Sequence, residues 1–458
     1  MFLKVAGLVF IACVSFSAMA AKTALVGGRL IDGFGHQPLH NSVILINNDT
    51  IEAVGTINTL DVPSEYKVVS TEGMDLLPGL WENHAHLMLN GHADYEHWHP
   101  TYRNRLKDEI MPASALQLLL AGVTSARDLG APLEESITLK NKIETGKLAG
   151  PHLYVSGPFL QAEPYPGTQH YRWGVKTVQE AKQKVNQLAD AGVDIIKLVD
   201  QDKMPLNAAK TIVEQAHARG LKVVAHSHRP EEIKVGLKIG VDNFEHTGLT
   251  TAPEYDEDII QALRARTATG RVAGGPLFWT PTIEGLWNYE LTVANPEKLD
   301  NNCWHRGLRD DTIEDIRQSL KAPGTLAYMQ LTPLRKPTLK RKFAQLKEAG
   351  VVLLTGTDSG IPTKFHCQST WNELAIWVEE FAMTPMETLR AATWWPAVMM
   401  GVSDSFGSVS EGKSADIIGV KGDVLRYINL LQHVDLVMKA GVIYKQNGQV
   451  IESTIPNN

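Results

Sequence analysis

The sequence predicts an α/β fold: a (β/α)8 TIM barrel over residues 78–402, carrying a small β-sandwich domain built from both termini, residues 21–77 and 403–458. Three observations predict it. Short alternating apolar runs fill both ends of the chain; the middle alternates short apolar strands with longer helical patterns; and those middle strands number eight. The length, 458 residues with 43% hydrophobic, allows one large core and a smaller one.

Taken in order, residues 1–20 read as a signal peptide, with Lys4 in the n-region, an apolar run from Val5 to Phe16 and Ala18-Met19-Ala20 before the cut. That apolar run is too short for a membrane span, so the mature chain is expected to be exported, periplasmic or secreted, with no membrane span. Cleavage leaves Cys303 and Cys367, and an oxidising compartment permits them to pair. The formal charge of −7 argues against a nucleic-acid surface; the expected partner is a small-molecule substrate, and a homo-oligomer is left open.

Ala24–Val26, Ser42–Ile46 and Thr50–Val54 then read as strands, the last two joined by a turn at Asn47-Asn48-Asp49. The tail repeats the rhythm at Asp416–Val420, Val434–Met438 and Val442–Lys445. Between them the eight strands are expected at Leu80–His86, Val123–Asp128, Leu153–Ser156, Val193–Val199, Lys222–His226, Val241–His246, Leu277–Pro281 and Val351–Asp358. Helical stretches such as Thr177–Ala191 and Leu206–Arg219 lie between, and Gly192, Gly220, Gly240 and Gly350 sit where left-handed closures belong. Residues 282–336 break the rhythm after strand seven, with no clean period, and suggest a lid over the barrel mouth. The run Lys340-Arg341-Lys342 reads as a solvated helix face opposite Leu339, Phe343 and Leu346.

Lys197 closes a β-branched run that reads as a fully buried strand, and a buried ammonium is costly unless paired or chemically changed. A lone lysine at a strand end ordinarily reaches to water. Its company decides otherwise. Strand one ends in His84-Ala85-His86, whose period-two spacing puts both imidazoles on one side; strands five, six and eight end in His226, His246 and Asp358. Six ligand-capable groups at one end of one barrel point to a metal centre. His228, one pleat beyond His226, reads equally as a substrate contact or a structural hydrogen bond; His170, Tyr165 and Tyr171 are candidate pocket residues. Arg127 and Asp128 read as a mutual pair, and His92, His97 and His99 as a polar loop in which an extra metal is conceivable.

Leu77–His86, Gly192–Lys197, Val224–His228, Gly240–His246, Thr355–Asp358, Thr384–Glu387 and Gly412–Asp416 together resemble the amidohydrolase superfamily, in its imidazolonepropionase and prolidase-like branch. The resemblance implies two divalent ions, usually Zn2+. It implies His84, His86 and Asp358 on the more buried ion, His226 and His246 on the other, and Lys197 bridging as N6-carboxylysine. It further implies hydrolysis of a C–N bond, in an amide, dipeptide-like or cyclic amide, with Asp358 as the catalytic proton carrier. Lactone, ester or phosphotriester hydrolysis is the alternative for the same site, and a non-catalytic binding protein on the scaffold is the alternative of another class. Glu82-Asn83 departs from the aspartate common before the first histidine, and the loop at 161–173 lacks the Gly-Gly-His pattern of prolidase-like members.

Overall fold

The computed structural model describes residues 22–269, 275–294, 302–321 and 327–456. The segment read as a signal peptide lies outside them. Parallel strands in the middle of the chain run Leu80–Ala85, Val123–Asp128, His152–Val155, Ile195–Leu198, Lys222–His226, Asn243–Glu245, Phe278–Thr280 and Val352–Leu353. Each expected strand is present: the second and fifth have the expected bounds, the third is shifted by one residue, and the first, fourth, sixth and seventh are trimmed by one to three residues. The eighth shrinks most, because residues 354–358 leave the ladder before Asp358 is reached.

The ladders form two arcs, not one assigned ring: three strands in the first, and the remaining five with Phe159–Gln161 and Arg172–Gly174 in the second. Hydrogen bonds cross both seams. Asp194 N–H donates to Val155 O at 2.9 Å, and Ala85 bridges Ser359 in parallel sense. Along strand four the faces alternate. Ile195 packs with Val224, Phe278 and Leu354 in a small inner cluster, whereas Ile196 and Leu198 join the larger cluster under the helices. Both faces are buried, which is why the sequence reads as an unbroken apolar run.

The intervening helices follow local signals. Helix Val178–Ala191 begins with a reciprocal capping box between Thr177 and Glu180 and ends at Gly192, φ 94°; Thr177→Ala would cost about 1 kcal/mol. Gly220, Gly240 and Gly350 are also left-handed, at 75°, 87° and 78°. In helix Leu339–Glu348 the expected apolar residues face inward, but Lys342 departs from the solvated reading. It lies on the same stripe as Leu339 and Leu346, is 1% exposed, and donates through Nζ to Thr250 O and Oγ1 at 3.0 and 3.1 Å.

Both termini contribute two further sheets. One orders Thr50–Thr56, Ser42–Asn47, Lys22–Val26 and Lys67–Ser70; the other contains Arg29–Leu30, Met74–Pro78, Ile417–Lys421, Leu436–Lys439, Val442–Gln446 and Gln449–Val450. Leu25, Ile44 and Val69 of the first share a core with Leu76, Ile417 and Met438 of the second. Gly79 carries the chain from this region into strand one, where a Cβ would sit 2.0 Å from Thr124 Oγ1, so only glycine fits.

The described part of 282–336 is helical, with helices Glu284–Ala294 and Asp310–Ser319 and shorter turns at Ala327–Gln330 and Thr332–Arg335. The two longer helices, of 11 and 10 residues, contain no proline; Pro333 lies in the short turn Thr332–Arg335. Cys303 and Cys367 are disulfide-bonded, with Cα atoms 6.0 Å apart, tying this insertion to the loop after strand eight. Closing that span is worth about 4 kcal/mol in chain entropy. Trp304 beside it is buried and stacked on Phe365 at 4.8 Å. Among the described residues no helix is long and apolar enough to cross a membrane.

Candidate metal centre

In the second arc Lys197 is level with Val224, one pleat below His226, and two residues after the inward-facing Ile195. Register therefore aims Lys197 and His226 at the same interior face. His246 comes by another route. His226 is level with Glu245, so a regular pleat would turn the next residue outward. The backbone at His246 is instead left-handed, φ 77°, and its ring lies 4.8 Å from that of His226. Asp358 is likewise left-handed, φ 62°. Such a conformation costs a non-glycine residue about 1–2 kcal/mol and persists only where surroundings enforce it. Here Ser359 N–H donates to His84 O (3.2 Å), and His86 N–H donates to Ser359 O (2.8 Å), holding the Asp358 turn against strand one.

The donors converge. Asp358 Oδ1 lies 3.1 Å from His86 Nε2 and 3.6 Å from His84 Nε2, and Oδ2 lies 3.9 Å from His246 Nδ1. Two groups have ligand atoms all within 4.8 Å of one another: His84, His246 and Asp358, and His226, His228 and His246. They share His246. The second group draws in His228, whose ring stacks on that of His246 at 4.5 Å and whose Nδ1 is buried without a hydrogen-bond partner.

Burial pushes the His84, His226 and His246 imidazoles well below their ordinary range, with Lys197 adding to it, and pushes His228 down to about 3. Burial alone would raise the Asp358 carboxyl, but His84 and His86 outweigh it and hold it ionised. Neutral imidazoles around a carboxylate suit a divalent cation. Lys197 is 0% exposed, its Nζ has no hydrogen-bond partner, and burial brings it down to about 8. His84 Nε2 is another buried atom without a partner. These orphaned atoms fit a metal-binding cavity, since buried polar groups are otherwise satisfied.

A supporting layer lies behind, and the sequence reading missed it. Arg127 donates to Glu245 Oε1 (3.0 Å), Asn83 O (2.6 Å) and Thr280 Oγ1 (3.1 Å). Asp128 instead accepts from Leu87 N–H at 3.1 Å, so the expected Arg127–Asp128 pair does not form: successive strand residues point to opposite faces. Glu245 Oε2 accepts from His84 Nδ1 at 2.8 Å, which leaves the lone pair on Nε2, facing Asp358. Glu82, the departure before His84, accepts from the amides of His84 (2.9 Å) and Thr357 (2.8 Å), and so clamps strand one to the Asp358 turn. The signal for Glu245 was present: it directly precedes His246.

A cavity of about 360 Å³ opens from these residues. His86, His226, His228, His246 and Asp358 form its floor, and its walls come from Tyr95, Phe159, Tyr165 and Arg172 on one side and from Leu286, Met329 and Arg335 of the insertion on the other. Tyr165 reaches the wall as expected. His170 and Tyr171 are not on it; Tyr171 is buried behind, with its hydroxyl 2.9 Å from His99 Nε2, and His170 packs edge-on against both.

Residues 76–444 match the model of the amidohydrolase family. This chain belongs to the amidohydrolase family. The imidazolonepropionase of Shouchella clausii is 30% identical over 411 residues, covering 85% of this chain and 80% of that one. An uncharacterized protein of Mycobacterium tuberculosis is 26% identical over 387 residues, covering 81% and 85%. A putative prolidase from Bifidobacterium longum superposes with a TM-score of 0.71 at 26% identity, covering 95% of this chain and 98% of that one. Phenylurea hydrolase B shares the fold, with a TM-score of 0.74 at 19% identity and coverage of 95% and 98%. These amidohydrolase neighbours imply a TIM barrel for the α/β middle. As an amidohydrolase the chain is a hydrolase acting on C–N bonds, and its histidine and aspartate clusters are the candidate metal ligands.

Proposed function

We propose that this amidohydrolase is an exported enzyme that uses two divalent ions of the zinc class: His84, His86 and Asp358 would hold one, His226 and His246 would hold the other, and Lys197, carboxylated on Nζ, would bridge them. The observation that carries the reading is the fully buried, partnerless Lys197 Nζ beneath four histidines and an ionised aspartate. A carbamate would turn that misplaced cation into an anionic oxygen donor. The two arcs read as one closed barrel, and the two terminal sheets as a β-sandwich domain. The Cys303–Cys367 disulfide supports an oxidising compartment.

Ions bound there supply an acidified water and a positive charge for the substrate carbonyl. The residues do the rest. Asp358 takes the proton of the attacking water and returns it to the departing nitrogen. Arg127 and Glu245 hold His84 in one tautomer, and the insertion narrows the mouth against bulk water. Apolar walls at Leu249, Leu286, Met329 and Ile361 fit a small amide with an apolar side chain.

The test pairs metal analysis with a panel of dipeptides, N-acyl amino acids, cyclic imides, lactones and aryl phosphotriesters. Asp358→Asn is expected to lose about 10²–10⁴-fold in turnover on C–N substrates while retaining most of its metal. Lys197→Ala is expected to lose metal as well. Preference for lactones or phosphotriesters would overturn the substrate class, and normal two-metal content in Lys197→Ala would overturn the bridge.

A further inference from the structure

We propose that His92, His97 and Asp315 form a separate metal site, outside the catalytic cavity, that takes one zinc-class divalent ion and staples the insertion to the barrel. The three ligand atoms lie within 4.8 Å of one another. Asp315 Oδ2 is 2.9 Å from His97 Nε2 and 3.5 Å from His92 Nε2. Donors around a tetrahedral zinc with bonds of about 2.0–2.1 Å stand roughly 3.3 Å apart, between those two values.

The surroundings suit a ligand set. His92 is 4% exposed, and its Nδ1 lies 3.0 Å from both the carbonyl oxygen and the amide nitrogen of Asp94; in the tautomer that donates to Asp94 O, the Nε2 lone pair faces the carboxylate. The Tyr102 hydroxyl donates to the same Asp315 oxygen, Oδ2, at 2.7 Å and helps to orient the carboxylate. His97 is about half exposed, which gives an ion a way in. A contrast within the molecule sharpens the point. The cluster Asp200, Asp202 and Glu232 already holds a cation, since the Arg229 guanidinium donates to all three carboxylates. Among the described residues Asp315 has no lysine or arginine partner; its ion-pair contacts are with His92 and His97, beside the Tyr102 hydroxyl.

The two histidines flank the start of helix Tyr95–Tyr102, and Asp315 comes from insertion helix Asp310–Ser319. Ala93 N–H donates to Ser319 Oγ at 3.0 Å across the same junction. Tyr95, between the histidines, lines the catalytic cavity, so an ion here would set one of its walls.

The full chain is stripped with chelator, reloaded with zinc sulfate, desalted and assayed for zinc by mass spectrometry. His97→Ala and Asp315→Asn are each expected to hold one zinc fewer than wild type. In a His84→Ala/His86→Ala background, which disables the main centre, His97→Ala is expected to remove one zinc again. Zinc should also raise the thermal midpoint of that background, and the rise should vanish with His97→Ala. Equal zinc content with and without His97→Ala in both backgrounds would overturn the site. Failure of the catalytic reading looks different: wild type and His84→Ala/His86→Ala would then hold the same number of ions.

Discussion

The floor and the walls of the cavity are built differently. Its floor is set by strand ends: Lys197 and His226 by ladder register, His84 and His86 by the pleat, with Glu82 clamping strand one to the Asp358 turn. Lys197, His84, His86 and His246 are buried and His226, His228 and Asp358 partly so, and several of their polar atoms have no partner. On the walls, side chains engage one another more fully, although Arg172 Nε has no hydrogen-bond partner. Arg172 lies over the rings of Phe159 and Tyr165 at 4.9 and 4.5 Å and donates to Gln161 at 2.8 Å; Arg335 donates to Gly248 O at 2.8 Å. The contrast teaches where each kind of function sits. Clustered unsatisfied donors at the ends of a rigid sheet are poised for a ligand, whereas wall residues engaged with one another shape what enters.

That division can be broken experimentally. The largest effect is expected at His246, which belongs to both donor groups: His246→Ala should lose metal and at least about 10³-fold in kcat/KM, read by steady-state kinetics beside metal analysis. A loss under tenfold would remove His246 from the floor. Next comes the layer beneath. Glu245→Gln keeps the shape but weakens the acceptor for His84, and should reduce metal affinity about 10–100-fold in chelator competition; unchanged affinity would make Glu245 merely a partner of Arg127. A wall change is milder. Arg172→Ala should raise KM several-fold with kcat and metal content within about twofold, and a collapse of kcat would erase the distinction between floor and wall.

The smallest effect is at the junction with the tail sheets, away from both. Burial would raise the Asp416 carboxyl, but His152 of strand three and the Ala440 amide hold it below the usual range. A depressed folded-state value gives stability that is present above the unfolded value, near 4, and is lost as pH falls through the lower folded value. Thermal unfolding should therefore separate wild type from Asp416→Asn by about 2–4 °C at pH 6, with the gap closing towards pH 3. A gap independent of pH would show that this ion pair does not titrate with folding.

Local chemistry made much of the molecule legible from the chain alone. Alternation located the strands, left-handed glycines ended the helices, and the spacing of His84 and His86 put both on one face, because these patterns depend on neighbours in sequence. The insertion's helices were not read: Asp310–Ser319, for example, carries only two apolar residues, Ile313 and Ile316, too few to mark a period. Arg127 was assigned to its sequence neighbour, yet its partner Glu245 comes from a strand more than a hundred residues away. Period two likewise cannot bring both Glu245 and His246 to one site; only the left-handed turn at His246 does so. The sequence by itself determined which elements form and which residue types close them. Tertiary structure alone decided which buried groups find partners and which stay unsatisfied, because a hydrogen bond depends on distance in space, and a strained backbone survives only when the packed surroundings hold it there.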